Sequence, residues 1–207
     1  MGTVRSTPAL SGQRLANRGM QLLLVVILGV GLVNHNVSVV VNGALALGVT
    51  FLPAMLRRDF SIPLNPALTL WITTAVLLHA VGMLGLYDSV WWWDHLTHTM
   101  SAALVAGVGY TTVRALDVHL DSLHFPPRFM FVFVLVFTLS FGVVWEVLEF
   151  GVRVLATLFH FKPVLVQYSL GDTVEDLVFD LVGGTLVALF GTQLLGGVVE
   201  AVEARLN

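Results

Sequence analysis

The chain alternates long apolar runs with short polar breaks, and the breaks lie far enough apart to make most runs membrane helices. A hydrocarbon core about 30 Å thick needs roughly 20 apolar residues at about 1.5 Å each. Runs of that length lie at Pro66–Tyr87, His95–Leu116, Phe129–Phe150 and Asp176–Val199. The first apolar stretch, Gly19–Leu56, has 38 residues, too many for one crossing, and Asn34-His35-Asn36 interrupts it. It reads as a hairpin of two short helices, or as one span followed by a re-entrant piece.

The basic residues separate these readings, because short loops rich in Lys and Arg stay cytoplasmic. With the hairpin, Arg5, Arg14, Arg18, Arg57, Arg58, Arg114, Arg128 and Arg205 share one side, and only Arg153 and Lys162 face the other, eight against two. With one merged span the count becomes five against five. The pattern therefore predicts an all-α, polytopic transmembrane helix bundle of about six spans with both termini cytoplasmic. It divides into an N-terminal arm over 1–18, a transmembrane domain over 19–199 and a tail over 200–207. Met1-Gly2-x-x-x-Ser6 fits a myristoylation pattern, but a basic arm before a span needs no lipid. A cleavable signal peptide is not expected either.

Local features refine this frame. Trp91-Trp92-Trp93 reads as an aromatic belt marking where the fourth helix enters from outside. Ala102/Ala106 and Ala103/Gly107 are small-xxx-small pairs that permit close helix packing. The outer segment Gly151–Gly171, with Phe159, Phe161 and Tyr168, reads as interfacial, and the Phe-rich run Phe129–Phe141 as lipid-facing.

Composition agrees: 57% of the residues are hydrophobic and 11% charged, against about a quarter charged in soluble domains. That excludes a soluble globular enzyme and a disordered chain. Ten basic residues against thirteen acids give a net charge of −3, so no basic surface exists to dress a nucleic acid. The partner implied is the lipid bilayer, and the location a cell membrane. The chain has no Cys, which removes disulfides, thiolate metal sites and Cys nucleophiles.

The chemistry lies in the ionisable residues at membrane depth, which cost several kcal/mol unless paired or placed in a wet cavity. Asp94, His95 and His98 open the fourth helix; Glu146 and Glu149 lie near the end of the fifth; Asp172, Glu175, Asp176 and Asp180 open the sixth. His79 on the third sits eight residues before Tyr87, roughly 12 Å below the outer boundary. Residues three or four apart share a helix face. Asp94/His98, His95/His98, Glu146/Glu149 and the ladder Asp172/Asp176/Asp180 can thus each point at one centre. Counting Asp88, eight of the thirteen acids fall on the outer side.

A divalent metal is the economical way to hold such carboxylates together. Imidazole and carboxylate suit Zn, Mn and Fe(II), or Mg and Ca where oxygens dominate. The expected ligands are His79, His95, His98, Asp172, Asp176 and Asp180, with Glu146 and Glu149 as catalytic proton acceptors. Simpler roles compete: Asp172 with Glu175 forms a capping-box pattern, Asp94 can be a plain N-cap, and His79 a hydrogen-bonded tie between helices. Functionally the pattern points to a metal-dependent intramembrane hydrolase of a lipid or lipid-linked substrate. The alternatives are a cation- or proton-coupled transporter, and a membrane scaffold with a structural metal.

The ordered motifs Tyr87-Asp88, Asp94-His95, Trp145-Glu146-x-x-Glu149 and Gly171-Asp172-x-x-x-Asp176-x-x-x-Asp180, with Gly183-Gly184, resemble the YjdF-like family of small polytopic membrane proteins. More distantly they are similar to the VanZ-like family. The resemblance covers about residues 85–190. It implies a shared polar set of Asp88, His95, Glu146, Glu149, Asp172, Asp176 and Asp180, and a fold and a site more than an activity.

Overall fold

The structure is a computed structural model that describes residues 8–160, 163–165 and 168–206. Among the described residues it contains helices and no strands, and the chain divides into two compact units, one ending at Gly85 and the other beginning at Leu86.

In the first unit, α1 (Pro8–Val33) and α2 (Val37–Val49) form the expected hairpin. The turn is built from the polar triplet. His35 takes a left-handed conformation (φ 51°), and the Asn36 side chain accepts from the backbone N–H of Val39 at 3.2 Å, capping α2. After a break at Thr50-Phe51, α3 (Leu52–Asp59) carries the basic turn. α4 (Pro66–Val81) starts on a second cap, Asn65, which accepts from Leu68 N–H at 2.8 Å. Leu24, Ile27, Val39, Ala46 and Ala80 form the core where α1, α2 and α4 meet. The helix then loosens into a π turn, Gly82–Leu86, at Gly85 (φ 115°), a conformation that only glycine adopts without strain.

The second unit comprises α5 (Tyr87–Ser89), α6 (Trp93–His119), α7 (Pro127–Phe159) and α8 (Leu170–Glu203). α6 packs along α8, and α7 against both. Gly183 and Gly184 make this possible: a Cβ on Gly183 would strike the Thr99 carbonyl of α6, and one on Gly184 would press on Thr138 of α7 at 3.2 Å. Ala102 and Ala106 are buried on α6, so the small-residue stripe is indeed packing surface.

Among the described residues, five helical segments are long and apolar enough to cross a membrane: Gly12–Val33, Val37–Asp59, Pro66–Ser89, Pro127–Phe159 and Leu170–Glu203. α6 is less apolar but has 27 residues, about 40 Å at the helical rise, longer than the hydrocarbon core. The chain is a multi-pass membrane protein.

Local structure adds detail to these readings. Gly151–Phe159 forms the end of α7, which runs unbroken to the left-handed His160 (φ 56°) because Val152–Leu158 contains no helix breaker. Phe161, Lys162 and Gln167 lie outside the described residues. In the Phe-rich run, where Phe129 and Phe141 are exposed, the rings also meet one another: Phe125, just before α7, and Phe129, Phe133, Phe137 and Phe141 on it follow ring to ring. Phe137 packs where Gly109 of α6 leaves room. At the other end of α6, the buried Asp117 ties down the α6–α7 loop, pairing with Arg114 and accepting from Phe125 N–H at 2.6 Å.

Candidate functional site

The polar residues converge at one end of the second unit, where α6 and α8 begin and α7 passes its midpoint. α6 starts without a side-chain cap, on Trp92. Asp94 is therefore not the N-cap; its carboxylate lies over the next turn, with Oδ1 3.6 Å from His98 Nε2. α8 starts on Ser169, whose hydroxyl accepts from Asp172 N–H at 3.0 Å, while Asp172 Oδ2 accepts from Tyr168 N–H at 3.0 Å. The capping box thus sits three residues earlier than Asp172/Glu175, because Ser169 is free to cap once α8 extends back to Leu170. Glu175 instead faces His95, Oε2 to Nε2 3.3 Å, at an exposed position.

From that start the Asp172/Asp176/Asp180 ladder descends along one face of α8, and Asp176 and Asp180 are buried, 2% and 5% exposed. His98 stands opposite them on α6. Its Nδ1 lies 3.1 Å from Asp180 Oδ1, and its Nε2 lies 3.6 Å from Asp94 and 3.9 Å from Asp176 Oδ1. Asp94, His98 and Asp176 each offer one ligand atom, all within 4.8 Å of one another. Gly142 on α7 keeps this face open, since a Cβ there would overlap the Asp180 carboxylate.

α7 contributes Glu146 and Glu149, both buried. Thr173 Oγ1 donates to Glu146 Oε2 at 2.6 Å. Glu149 lies within electrostatic range of Glu146, His98 and Asp94. Two buried carboxylate oxygens, Glu146 Oε1 and Asp176 Oδ1, have no hydrogen-bond partner. Since an unsatisfied buried polar atom costs roughly 1–3 kcal/mol, such oxygens mark where something further belongs. Beside Glu146, α7 and α8 part to leave a groove of about 230 Å³ lined by Val143, Glu146, Val147, Phe150, Thr173 and Leu177.

Over the cluster, Tyr168 donates its hydroxyl to Asp88 Oδ1 at 2.8 Å. Partial burial, and then this bond to a carboxylate, push the phenol above the ordinary tyrosine range, so it stays protonated and keeps donating. Nothing in the sequence separated Tyr168 or Thr173 from other hydroxyls.

Of the residues expected at the site, the structure brings His98, Asp176, Asp180, Glu146 and Glu149 together. Asp172 stands at the head of the ladder as a backbone acceptor. His95 turns away: its ring stacks on Phe179 (4.1 Å between centroids) and meets Trp91 edge-on. His79 belongs to the first unit, where its Nε2 lies 3.1 Å from Asn42 Oδ1, and Asn42 in turn donates to the Ser38 carbonyl at 2.9 Å. This is the helix-to-helix tie. Asp94, for which the sequence also allows a plain N-cap, joins this group instead, and its i,i+4 spacing to His98 is the signal for it.

No curated protein and no solved structure matches the chain. A family pattern does, over residues 16–196, a stretch that includes every residue of this cluster: the chain belongs to the family described as predicted membrane protein DUF2238.

Proposed function

We propose that the protein is a metal-dependent membrane hydrolase acting on a lipid or lipid-linked substrate, with its site at the outer face. The observation that carries this reading is the 3.1 Å contact between His98 Nδ1 and Asp180. Histidines that hold metals almost always donate their second ring N–H to a carboxylate or carbonyl, which fixes the tautomer and turns the other nitrogen outward. Here the other nitrogen, Nε2, stands between the carboxylates of Asp94 and Asp176. The buried Asp176 Oδ1, which has no hydrogen-bond partner, fits a coordinating oxygen. Asp94, His98 and Asp176 would hold the ion, and one imidazole with two carboxylates suits Zn, Mn or Fe(II), with Mg or Ca as oxygen-preferring choices.

A divalent ion held there would supply Lewis acidity and lower the pKa of water, making a nucleophile for ester or phosphoryl hydrolysis available near neutral pH. The chain does the rest. Asp180 holds the His98 ring, Thr173 orients Glu146 by bonding Oε2, and Glu146 Oε1 accepts a proton, with Glu149 one turn away as a second acceptor. The eight-to-two distribution of basic residues, with α6 counted as the sixth crossing, supports an outer location for this end of the bundle. The family match spans the whole motif series from Tyr87 to Gly184, which supports the YjdF-like affinity; the VanZ-like likeness rests on the motifs alone.

The test is incubation of purified protein with total lipid extract, reading released fatty acid or head group by mass spectrometry. Glu146→Gln is expected to retain metal and lose the product. Unchanged lipids with every metal, together with cation flux in liposomes that Glu146→Gln abolishes, would replace the enzyme with a cation carrier.

A further inference from the structure

The short helix α5 carries Tyr87 and Asp88 side by side, and each bonds near the start of a helix that supplies a carboxylate to the cluster. Asp88 accepts from Tyr168, which precedes α8. Tyr87 turns to α6, where its hydroxyl donates to Thr97 Oγ1 at 3.3 Å, and its phenol lies within electrostatic range of Asp94 and Glu149. Thr97 follows Asp94 by three residues on α6 and is 6% exposed. A threonine hydroxyl has one proton and two lone pairs. Here Tyr87 donates to a lone pair, and the proton faces two oxygens of a single residue, the Asp94 carbonyl at 2.9 Å and the Asp94 carboxylate Oδ1 at 3.5 Å. Ser101, one turn further on, shows the ordinary alternative, donating to the backbone carbonyls of Thr97 and His98. Thr97 differs because it meets a side chain in both directions, a phenol behind it and a carboxylate in front. That carboxylate oxygen is the one 3.6 Å from His98 Nε2. Asp94 has the most need of such a bond. Its side chain is 22% exposed, against 12% for His98 and 3% for Asp176, so burial alone restrains it least, and carboxylates that hold metals are themselves held by hydrogen bonds.

We propose that Tyr87 is a positioning residue, which through the Thr97 hydroxyl holds the Asp94 carboxylate in place for a divalent ion. It rests on the metal reading above for what Asp94 does, and not on the hydrolysis. The experiment titrates Co(II), whose visible bands follow ligand set and geometry, into the full-length protein after a chelator has stripped it. Thr97→Val, which keeps the shape and removes the hydroxyl, should weaken Co(II) binding roughly 10–100-fold and alter the bands. Thr97→Ser, which keeps the hydroxyl, should match wild type in both. Tyr87→Phe should weaken binding about tenfold, and Tyr87→Phe with Thr97→Val should be no weaker than Thr97→Val alone, as expected of residues acting in series. Wild-type affinity in Thr97→Val, equal losses in Thr97→Val and Thr97→Ser, or losses that add in the double variant each overturn the proposal. If Thr97→Val does not fold, Tyr87→Phe decides alone, and unchanged affinity there overturns it. Wild-type protein that takes up no Co(II) removes both this role and the metal. Co(II) binding with the expected pattern of variants, but no lipid product, leaves the positioning role standing and removes only the hydrolase.

Discussion

His98 and Asp180 meet at 3.1 Å between α6 and α8, and Gly142 on α7 leaves room for this, since a Cβ there would displace the carboxylate. Gly142→Ala should therefore act on metal binding from a helix that supplies none of the three ligand atoms. Affinity is expected to fall roughly 10–100-fold, as for other losses of a partner that orients a ligand. Titration calorimetry with the apo protein reads it, and an unchanged affinity would mean that Asp180 does not position His98.

The hydroxyl of Tyr168 closes the α7–α8 connection onto Asp88. Tyr168→Phe is expected to lower stability by about 1 kcal/mol, the worth of one hydrogen bond. The folded phenol is pushed above its ordinary value near 10. Its contribution is thus complete below pH about 10 and fades only as pH rises through the raised value. The difference in melting temperature between wild type and variant should be flat from pH 6 to 9; a difference that shrinks across that range would remove Asp88 as the acceptor.

His79 illustrates what a sequence hides. Depth and residue type made it a plausible ligand, and only packing decides that its Nε2 reaches Asn42. Asn42→Ala should destabilise the protein by about 0.6 kcal/mol, typical of interhelical hydrogen bonds in membranes. His79→Ala should leave the metal content untouched. Melting curves and elemental analysis check the pair, and metal loss in His79→Ala would restore it as a ligand.

The spans were legible because a bilayer imposes length and hydropathy on every crossing, and the hairpin because of its basic flanks and the turn-forming Asn34-His35-Asn36. Helix ends were less so. α7 outruns Phe150 and α8 precedes Asp176, since hydropathy marks the bilayer while helices end at caps and breakers such as Ser169 and His160. Within the site, spacing gave both His95 and His98 a claim on the same face. The rotation of α6 against α8, which stacks His95 on Phe179 and aims His98 at the Asp ladder, is a tertiary fact that spacing does not contain.

The proposed outer placement of the site has its own check. The native chain has no Cys, so single cysteines report topology without background. Those replacing Ser89 should react with an impermeant maleimide in intact cells, and those replacing Asp59 should not. Outside labelling at Asp59 would move the cluster to the cytoplasmic face.

The most direct measurement of the central claim is elemental analysis of the purified protein, wild type beside Asp176→Asn, His98→Ala and His95→Ala. About one divalent ion per chain is expected in wild type and in His95→Ala, and its loss in the other two, with a lower melting temperature once the clustered carboxylates face one another without a cation. Wild-type protein free of metal, with a melting curve indifferent to chelator and to the Asp176 and His98 substitutions, would contradict it.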